Sequence, residues 1–260
     1  MTFSLNAQEV RVMSMNIREG GERASHKAQP YADVINEQRP DFVCLQEVDH
    51  YTRRNGGQDF LGELAQLTGM FPYFCQSISY QGGGFGVAIL SKYPFYKVQK
   101  QLAVIKGTRE DRATGWVYVM LPNGKKIRVA STHLALESAD ITTQNIALVN
   151  AKIFEDKETP TLLIGDFNST PESGPIDYAR IKWQEIGAGS GYTIPSEKPA
   201  KQLDYVMGFP KGKWSCSSYK ILALPKLSDH CFIVADVKYE ELIHSTFNDA
   251  FPGWSMRQDR

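Results

Sequence analysis

Thr161-Leu162-Leu163-Ile164-Gly165-Asp166-Phe167-Asn168-Ser169-Thr170-Pro171 is the stretch on which the reading of this chain turns. Thr161 to Ile164 is a short apolar run with β-branched residues, the composition of a buried strand. Gly165 breaks it. Asp166 and Asn168 follow two positions apart, a spacing that puts both side chains on one face of an extended segment. A carboxylate and an amide leaving the end of a buried strand are costly without partners. The alternative is a plain turn, where Gly, Asp and Asn are all common. On this stretch alone both readings stay open, and the other strand ends must decide.

Those ends repeat the pattern. Val10 to Met15 alternates and closes on Asn16, before the loop Ile17-Arg18-Glu19-Gly20-Gly21. Asp41-Phe42-Val43-Cys44-Leu45 is apolar after its first residue and closes on Gln46-Glu47. Trp116 to Leu121 and Lys126 to His133 flank Asn123-Gly124, a strong hairpin signal, and the second arm delivers His133 near its end. Gln202 to Gly208 reads as a strand with a lone carboxylate, Asp204, and Leu227 to Val237 as a turn entering a buried strand with Asp229 and His230 at its mouth. Phe85 to Ser91 and Tyr219 to Leu224 read as further strands. Helical spacing marks Pro30 to Gln38, stopped by Pro40, then Asp59 to Thr68 with Gly69 as its cap, and Ile141 to Ile153. From Pro171 to Gln202 no period stands out.

The chain has 260 residues, 42% hydrophobic and 22% charged, which is ample for a core, with no repeat and no Pro-, Gly- or Ser-rich linker. One domain spanning residues 1–260 is expected, with its motifs between about 10 and 237. Formal net charge is zero and no block of like charges occurs, which weighs against a dedicated nucleic-acid binder without excluding a local basic patch. Cys44, Cys75, Cys216 and Cys231 form no C-x-x-C pair, so a thiolate zinc site is not expected; Cys44 and Cys231 read as packed thiols. No apolar run reaches membrane-spanning length. Small residues before Gln8 would suit the remnant of a cleaved leader, so export and a cytoplasmic location both stay open. A monomer is expected.

Asn16, Glu47, His133, Asp166, Asn168, Asp204, Asp229 and His230 therefore all sit at or near the ends of apolar strands. Several carboxylates with Asn and no Cys suit a hard cation such as Mg²⁺ or Mn²⁺. Two His add proton transfer or charge stabilisation, and together this is apparatus for phosphoester hydrolysis. The ordered set Met15-Asn16-Ile17, Leu45-Gln46-Glu47-Val48, Ser131-Thr132-His133-Leu134, Gly165-Asp166-Phe167-Asn168, Leu203-Asp204-Tyr205 and Ser228-Asp229-His230 resembles the endonuclease/exonuclease/phosphatase superfamily over nearly the whole chain. That resemblance implies an α/β fold: a four-layer sandwich, two mostly antiparallel sheets face to face with helices outside.

It also implies roles. Glu47 would be the principal metal ligand, with Asn16 and Asp229 close to the metal. Asp166 would orient and deprotonate the attacking water, with Asn168 steadying it or a phosphoryl oxygen. His230, held by Asp204, would stabilise phosphoryl charge, and His133 would bind a phosphoryl oxygen or aid the leaving group. In the deoxyribonuclease I branch a Glu pairs with the equivalent of His133; here that place falls on Gly86, which leaves Glu110 as the candidate partner. Arg112 is read either as a bidentate phosphate clamp or as half of a surface salt bridge.

Other readings are plainer. Asp204 needs a partner, since a lone buried carboxylate is so costly. His26, His50 and His244 have no motif around them. Gly82-Gly83-Gly84 would be a loop lip or a phosphate cradle, and the Phe247 to Trp254 tail a cover for a sheet edge. The expected function is a Mg²⁺- or Mn²⁺-dependent hydrolase of a small or lipid-linked phosphate ester or phosphodiester. The alternatives are a nuclease with the same site and a binding module that has lost catalysis.

Overall fold

The computed structural model describes residues 9–240; the two terminal stretches just named, before Gln8 and around Phe247 to Trp254, lie outside them, as does His244. The first sheet joins β1 (Glu9–Asn16), β2 (Phe42–His50), β3 (Phe71–Tyr80), β4 (Gly83–Ser91), β11 (Trp214–Leu222) and β12 (Phe232–Tyr239), in the spatial order β11-β12-β1-β2-β4-β3. The second joins β5 (Phe95–Ala103), β6 (Arg112–Met120), β7 (Lys126–His133), β8 (Thr161–Asp166), β9 (Gln184–Ile186) and β10 (Asp204–Phe209), in the order β5-β6-β7-β8-β10-β9. Each sheet is antiparallel except at one central pair, β1 with β2 and β7 with β8. A parallel pair needs a crossover. Helices α1 (Gln29–Gln38) and α3 (Ala139–Ile153) lie on those two crossovers.

Strand alternation sorts the residues into layers. Val10, Val12, Phe42, Cys44, Val129, Leu162, Ile164, Val206, Ile233 and Ala235 interlock between the sheets. Met13, Met15, Val43 and Leu45 face the other way, onto α1 and α2 (Phe60–Thr68). Ala130, Leu163, Tyr205 and Met207 pack beneath α3 and α4 (Gly174–Arg180). Helix, sheet, sheet and helix make the expected four layers. Gly69 ends α2 in the left-handed conformation, the C-terminal cap expected there, and Asp59 caps its start by accepting from the Gly62 amide.

Following the inter-sheet face along each strand leads to the polar residues. Asn16 continues Val10 and Val12, Asp166 continues Leu162 and Ile164, His133 continues Val129, and Asp204 precedes Val206 on the same face. The core between the sheets thus turns polar at one end. Its first polar rung is Ser14, Gln46 and Ser131: Gln46 Nε2 donates to Ser131 Oγ at 3.2 Å, and Ser131 Oγ donates to the Leu45 carbonyl at 3.1 Å, tying the sheets together.

Several elements escape the sequence pattern. β3 and β5 run at sheet edges with mixed, partly exposed faces, so neither shows an apolar run. β6 starts at Arg112, four residues before the apolar stretch that signals it, and the short α4 and β9 lie where no period stood out. Gly83 and Gly84 are strand residues of β4, paired with Tyr80 and Ser79 of β3, rather than a loop lip or cradle, and side chains added there would lie 2.3 Å from the His50 carbonyl and 2.7 Å from Gln76. Cys44 and Cys231 are buried thiols as expected, and Cys75 is buried too. Among the described residues no helix is long and apolar enough to cross a membrane.

Gly165 is the tightest point of the central pair. Its φ of +146° is one that side chains avoid, and a Cβ there would lie 2.0 Å from the Thr132 carbonyl. Gly165→Ala is therefore expected to destabilise the fold by about 3 kcal/mol or more in urea unfolding, by strain and displaced pairing together. Gly124→Ala, at φ +81° with open space around it, should cost only about 1 kcal/mol.

Candidate active site

The polar end of the inter-sheet core opens into a cleft of about 300 Å³ whose floor includes Glu47, His133, Asp166, Asn168 and His230. Asp166 Oδ2 is the focus. Asn16 Nδ2 donates to it at 3.1 Å, His133 Nε2 lies 3.5 Å away and His230 Nε2 3.7 Å away. The other oxygen, Oδ1, accepts the Asn168 amide at 2.8 Å. Asn168 has φ +49°, so the chain has left the strand and turned back on Asp166. The turn and the polar site, open alternatives in the sequence, are one structure. Asn168 Nδ2 donates to the Leu134 carbonyl at 2.9 Å, fastening this turn to the end of β7.

Glu47 reaches the cleft through a bulge. By strict alternation it would point with Leu45 into the helix-covered layer. The register slips by one residue between Leu45 and Val48, and Glu47 takes φ +60°. A left-handed non-glycine residue costs about 1 kcal/mol or more. Its carboxylate is then placed by Asn16 Nδ2 at 3.1 Å and by the Glu19 amide at 2.8 Å. Within the first sheet, Ser228 Oγ donates to the Asn16 carbonyl at 2.6 Å and accepts the His230 amide at 3.1 Å, locking the mouth of β12 to the end of β1.

The two imidazoles are held in opposite states. Burial would lower His230, but Asp204, bonded to Nδ1 at 2.8 Å, together with Asp166 and Asp229 outweighs it and lifts the ring to about 10. His230 is an imidazolium whose Nε2–H points toward Asp166. His133 goes the other way: burial, then the charges of Arg112 and His230, hold it well below its ordinary value. Arg112 Nη1 lies 3.3 Å from His133 Nδ1, and a guanidinium can only donate. Nδ1 therefore accepts and Nε2 carries the proton, so His133 is a neutral donor facing Asp166. Burial pushes the Asp166 carboxyl up, against the pull of His230.

The residues singled out in the sequence are placed as follows. Asn16, Glu47, His133, Asp166, Asn168, Asp204 and His230 are brought together. Asp229 is beside the cluster in the chain, but its carboxylate is engaged by the Arg18 guanidinium. Glu110 does not hold His133 directly: its carboxylate binds Arg112 Nη1 at 2.7 Å, and Arg112 meets the ring. Gly86 leaves no room for a carboxylate in its place, since a Cβ would lie 2.2 Å from the Cys75 carbonyl. Arg112 combines its two readings, being paired with Glu110 yet buried and lining the cleft. Arg54, Ile78, Tyr80, Phe85 and Leu136 also line it, and no motif announced them. His50 packs on Phe74 and His26 bonds the Gly20 carbonyl, both away from the floor.

Two groups of oxygen donors face the question of a metal. Asp166, Asp204 and His230 crowd their ligand atoms within 4.8 Å of one another. That imidazole is already bonded and charged by Asp204, so it has no lone pair to offer. The Glu47 carboxylate, with no thiolate near, fits a hard divalent cation better; Asn16 turns its Nδ2 to that carboxylate and its Oδ1 to the Arg18 amide at 3.0 Å. A larger cavity of about 610 Å³ lies at the far end of the sandwich, lined by Val10, Leu121, Trp214 and Tyr239 among others, and none of these polar residues is in it.

The family model described as Endonuclease/Exonuclease/phosphatase family matches residues 6–230. In fold, the chain is similar to the endonuclease/exonuclease/phosphatase from Bacteroides vulgatus, with TM-score 0.76 and 19% identity over 90% of this chain and 100% of that one. It is similar to the mannosyl-6-phosphatase of Bacteroides thetaiotaomicron VPI-5482, with TM-score 0.73 and 13% identity over 88% of this chain and 100% of that one. D. rerio TDP2 complexed with single strand DNA product is also similar, with TM-score 0.68 and 16% identity over 89% of this chain and 99% of that one. None of the curated proteins matches the chain in sequence.

Nitrogen-detected NMR of the imidazoles in metal-free protein should find His230 protonated up to about pH 10, and His133 neutral at pH 7 with its proton on Nε2. Asp204→Asn removes the bonded anion and should bring the His230 titration down toward the ordinary histidine range. Arg112→Met should raise the His133 titration and let its proton sample Nδ1.

Proposed function

We propose that this chain, which belongs to the endonuclease/exonuclease/phosphatase family, hydrolyses a phosphoester by in-line attack of water with a divalent cation, Mg²⁺ or Mn²⁺, at Glu47 and Asn16. The family acts on phosphoester substrates. The observation that carries the reading is the convergence on Asp166 Oδ2 of a charged and a neutral imidazole and an amide, beside the Glu47 carboxylate that the same Asn16 amide holds. Bound there, such a cation supplies positive charge against a phosphoryl oxygen. Asp229, now held by Arg18, is the third candidate ligand.

The residues divide the work. Asp166 takes the proton of the attacking water: its carboxyl is raised by burial, which makes it a stronger base than an exposed carboxylate. Asn168 fixes Asp166 through its backbone amide and offers its side chain to the water or a phosphoryl oxygen. His230 presents a permanent positive donor to the charge that grows on the phosphoryl oxygens, and Asp204 keeps it charged and aimed. Such preorganised donors are worth about 3 kcal/mol each where water is excluded. His133, neutral, donates from Nε2 to a phosphoryl or leaving-group oxygen, with Arg112 setting its tautomer and adding charge to the same wall. A small or lipid-linked phosphate monoester or diester fits a neutral protein and a short cleft better than a polynucleotide does.

The test is hydrolysis by purified protein of p-nitrophenyl phosphate, bis-p-nitrophenyl phosphate, sphingomyelin, inositol phosphates and plasmid DNA, with metal and with chelator. Turnover should require Mg²⁺ or Mn²⁺, and Asp166→Asn and His230→Ala should each lower kcat/KM by about a thousandfold. Activity that ignores chelator and survives in both variants would sink the assignment. Fastest turnover of plasmid DNA would retain the chemistry and replace the substrate class.

A further inference from the structure

Above the polar floor the cleft has a different character. Ile78 and Tyr80 from β3 and Phe85 from β4 form part of its wall, and Leu136, in the loop between β7 and α3, stands at its mouth with 55% of its surface exposed. The Tyr80 and Phe85 rings are 6.3 Å apart at 54°. The Arg54 guanidinium lies over both, 4.8 Å from one centroid and 5.2 Å from the other. Such stacking holds aromatic side chains in place.

Arg54 is not free to take an anion. Its Nε and Nη2 donate to Asp49 at 2.6 and 3.0 Å, and Nη1 to Glu19 at 3.1 Å. Arg112 is likewise matched by Glu110. Among the residues lining the cleft, the carboxylates of Glu19, Glu47, Glu110 and Asp166 outnumber the guanidinium groups of Arg54 and Arg112. One divalent cation and one phosphoryl dianion leave that balance negative. A second phosphate on the substrate would find no unpaired guanidinium here, whereas an uncharged ring would find two aromatic and two aliphatic side chains along the cleft. The volume, about 300 Å³, is at the small end for ligand pockets and suits one phosphoryl group with one ring.

We propose that Ile78, Tyr80, Phe85 and Leu136 form the subsite for the alcohol side of the ester, selecting an uncharged, flat or apolar ring that bears no second phosphate. Arg54 is the positioning residue that braces the two rings. The inference rests on the phosphoester reading above and names its substrate class.

Ethyl phosphate and 2-phenylethyl phosphate, each also as its methyl diester, differ by a ring while their alkoxides are of similar basicity, so their comparison reads the subsite. Wild type with Mg²⁺ should favour the phenylethyl ester by about tenfold or more in kcat/KM, mainly through KM, and should turn over an inositol bisphosphate more slowly. Tyr80→Ala, and separately Leu136→Ser, a change outside the Arg54 cluster, should cut that preference to under about threefold. An unchanged preference in both variants, or a preference for the bisphosphate, overturns the proposal. If no ester is hydrolysed, the phosphoester reading fails, and calorimetry of 2-phenylethylphosphonate against ethylphosphonate with Mg²⁺ decides the subsite. Binding about fivefold tighter for the phenyl compound, lost in both variants, supports it; equal affinities overturn it.

Discussion

A carboxylate buried at the end of an apolar core is the constraint on which this molecule depends. Asp166 continues the inter-sheet face of β8, almost without access to water. Burying an unpaired charge costs several kcal/mol, so the surrounding strands must supply compensation. They do so from both sheets: Asn16 from the end of β1, the Asn168 amide from the turn, His133 from β7, and His230 from the mouth of β12 with Asp204 of β10 behind it. The groups that make Asp166 tolerable are the same ones that give it chemistry.

Their convergence follows from the sandwich. Each sheet has one parallel pair, and the two pairs converge on the same edge of the molecule, so the strand ends Asn16, His133 and Asp166 meet there with Glu47 in the bulge of β2. The neighbouring antiparallel strands begin where the parallel ones stop, which brings Asp204 and His230 to the same place. Two local departures from regular strand complete the set: the bulge that turns Glu47 out of the helix-covered layer, and Gly165, where only a glycine lets β8 approach β7. Strain of this kind is tolerated at such places because the surrounding structure fixes the conformation.

Electrostatics then separate the two histidines. Each lies within 4 Å of the same carboxylate oxygen, yet one is charged and the other neutral. The difference lies behind the rings, where His230 has a carboxylate on Nδ1 and His133 a guanidinium. Arg112 is the group behind the His133 ring, while Gly86, where the resemblance would place an acid, is packed against Cys75 with no space for a side chain.

The sequence by itself determined the strands that alternate or run apolar, the hairpin at Asn123-Gly124, the Gly69 cap of α2, and the identity of the seven polar residues that meet, because each is written locally as a period or its break. The family resemblance added their order and the sandwich. Tertiary structure alone decided the rest. Edge strands β3 and β5 are invisible to periodicity because neither face is wholly buried. The turn at Asn168 and the bulge at Glu47 are left-handed conformations that no composition announces. Arg18 on Asp229, Arg112 on His133, and the wall of Ile78, Tyr80 and Phe85 opposite no motif at all are partnerships between residues distant in the chain or unmarked within it. Charge state and cleft shape belong to such meetings in space. A sequence sets which groups can titrate or pack, but burial and neighbours set what they do.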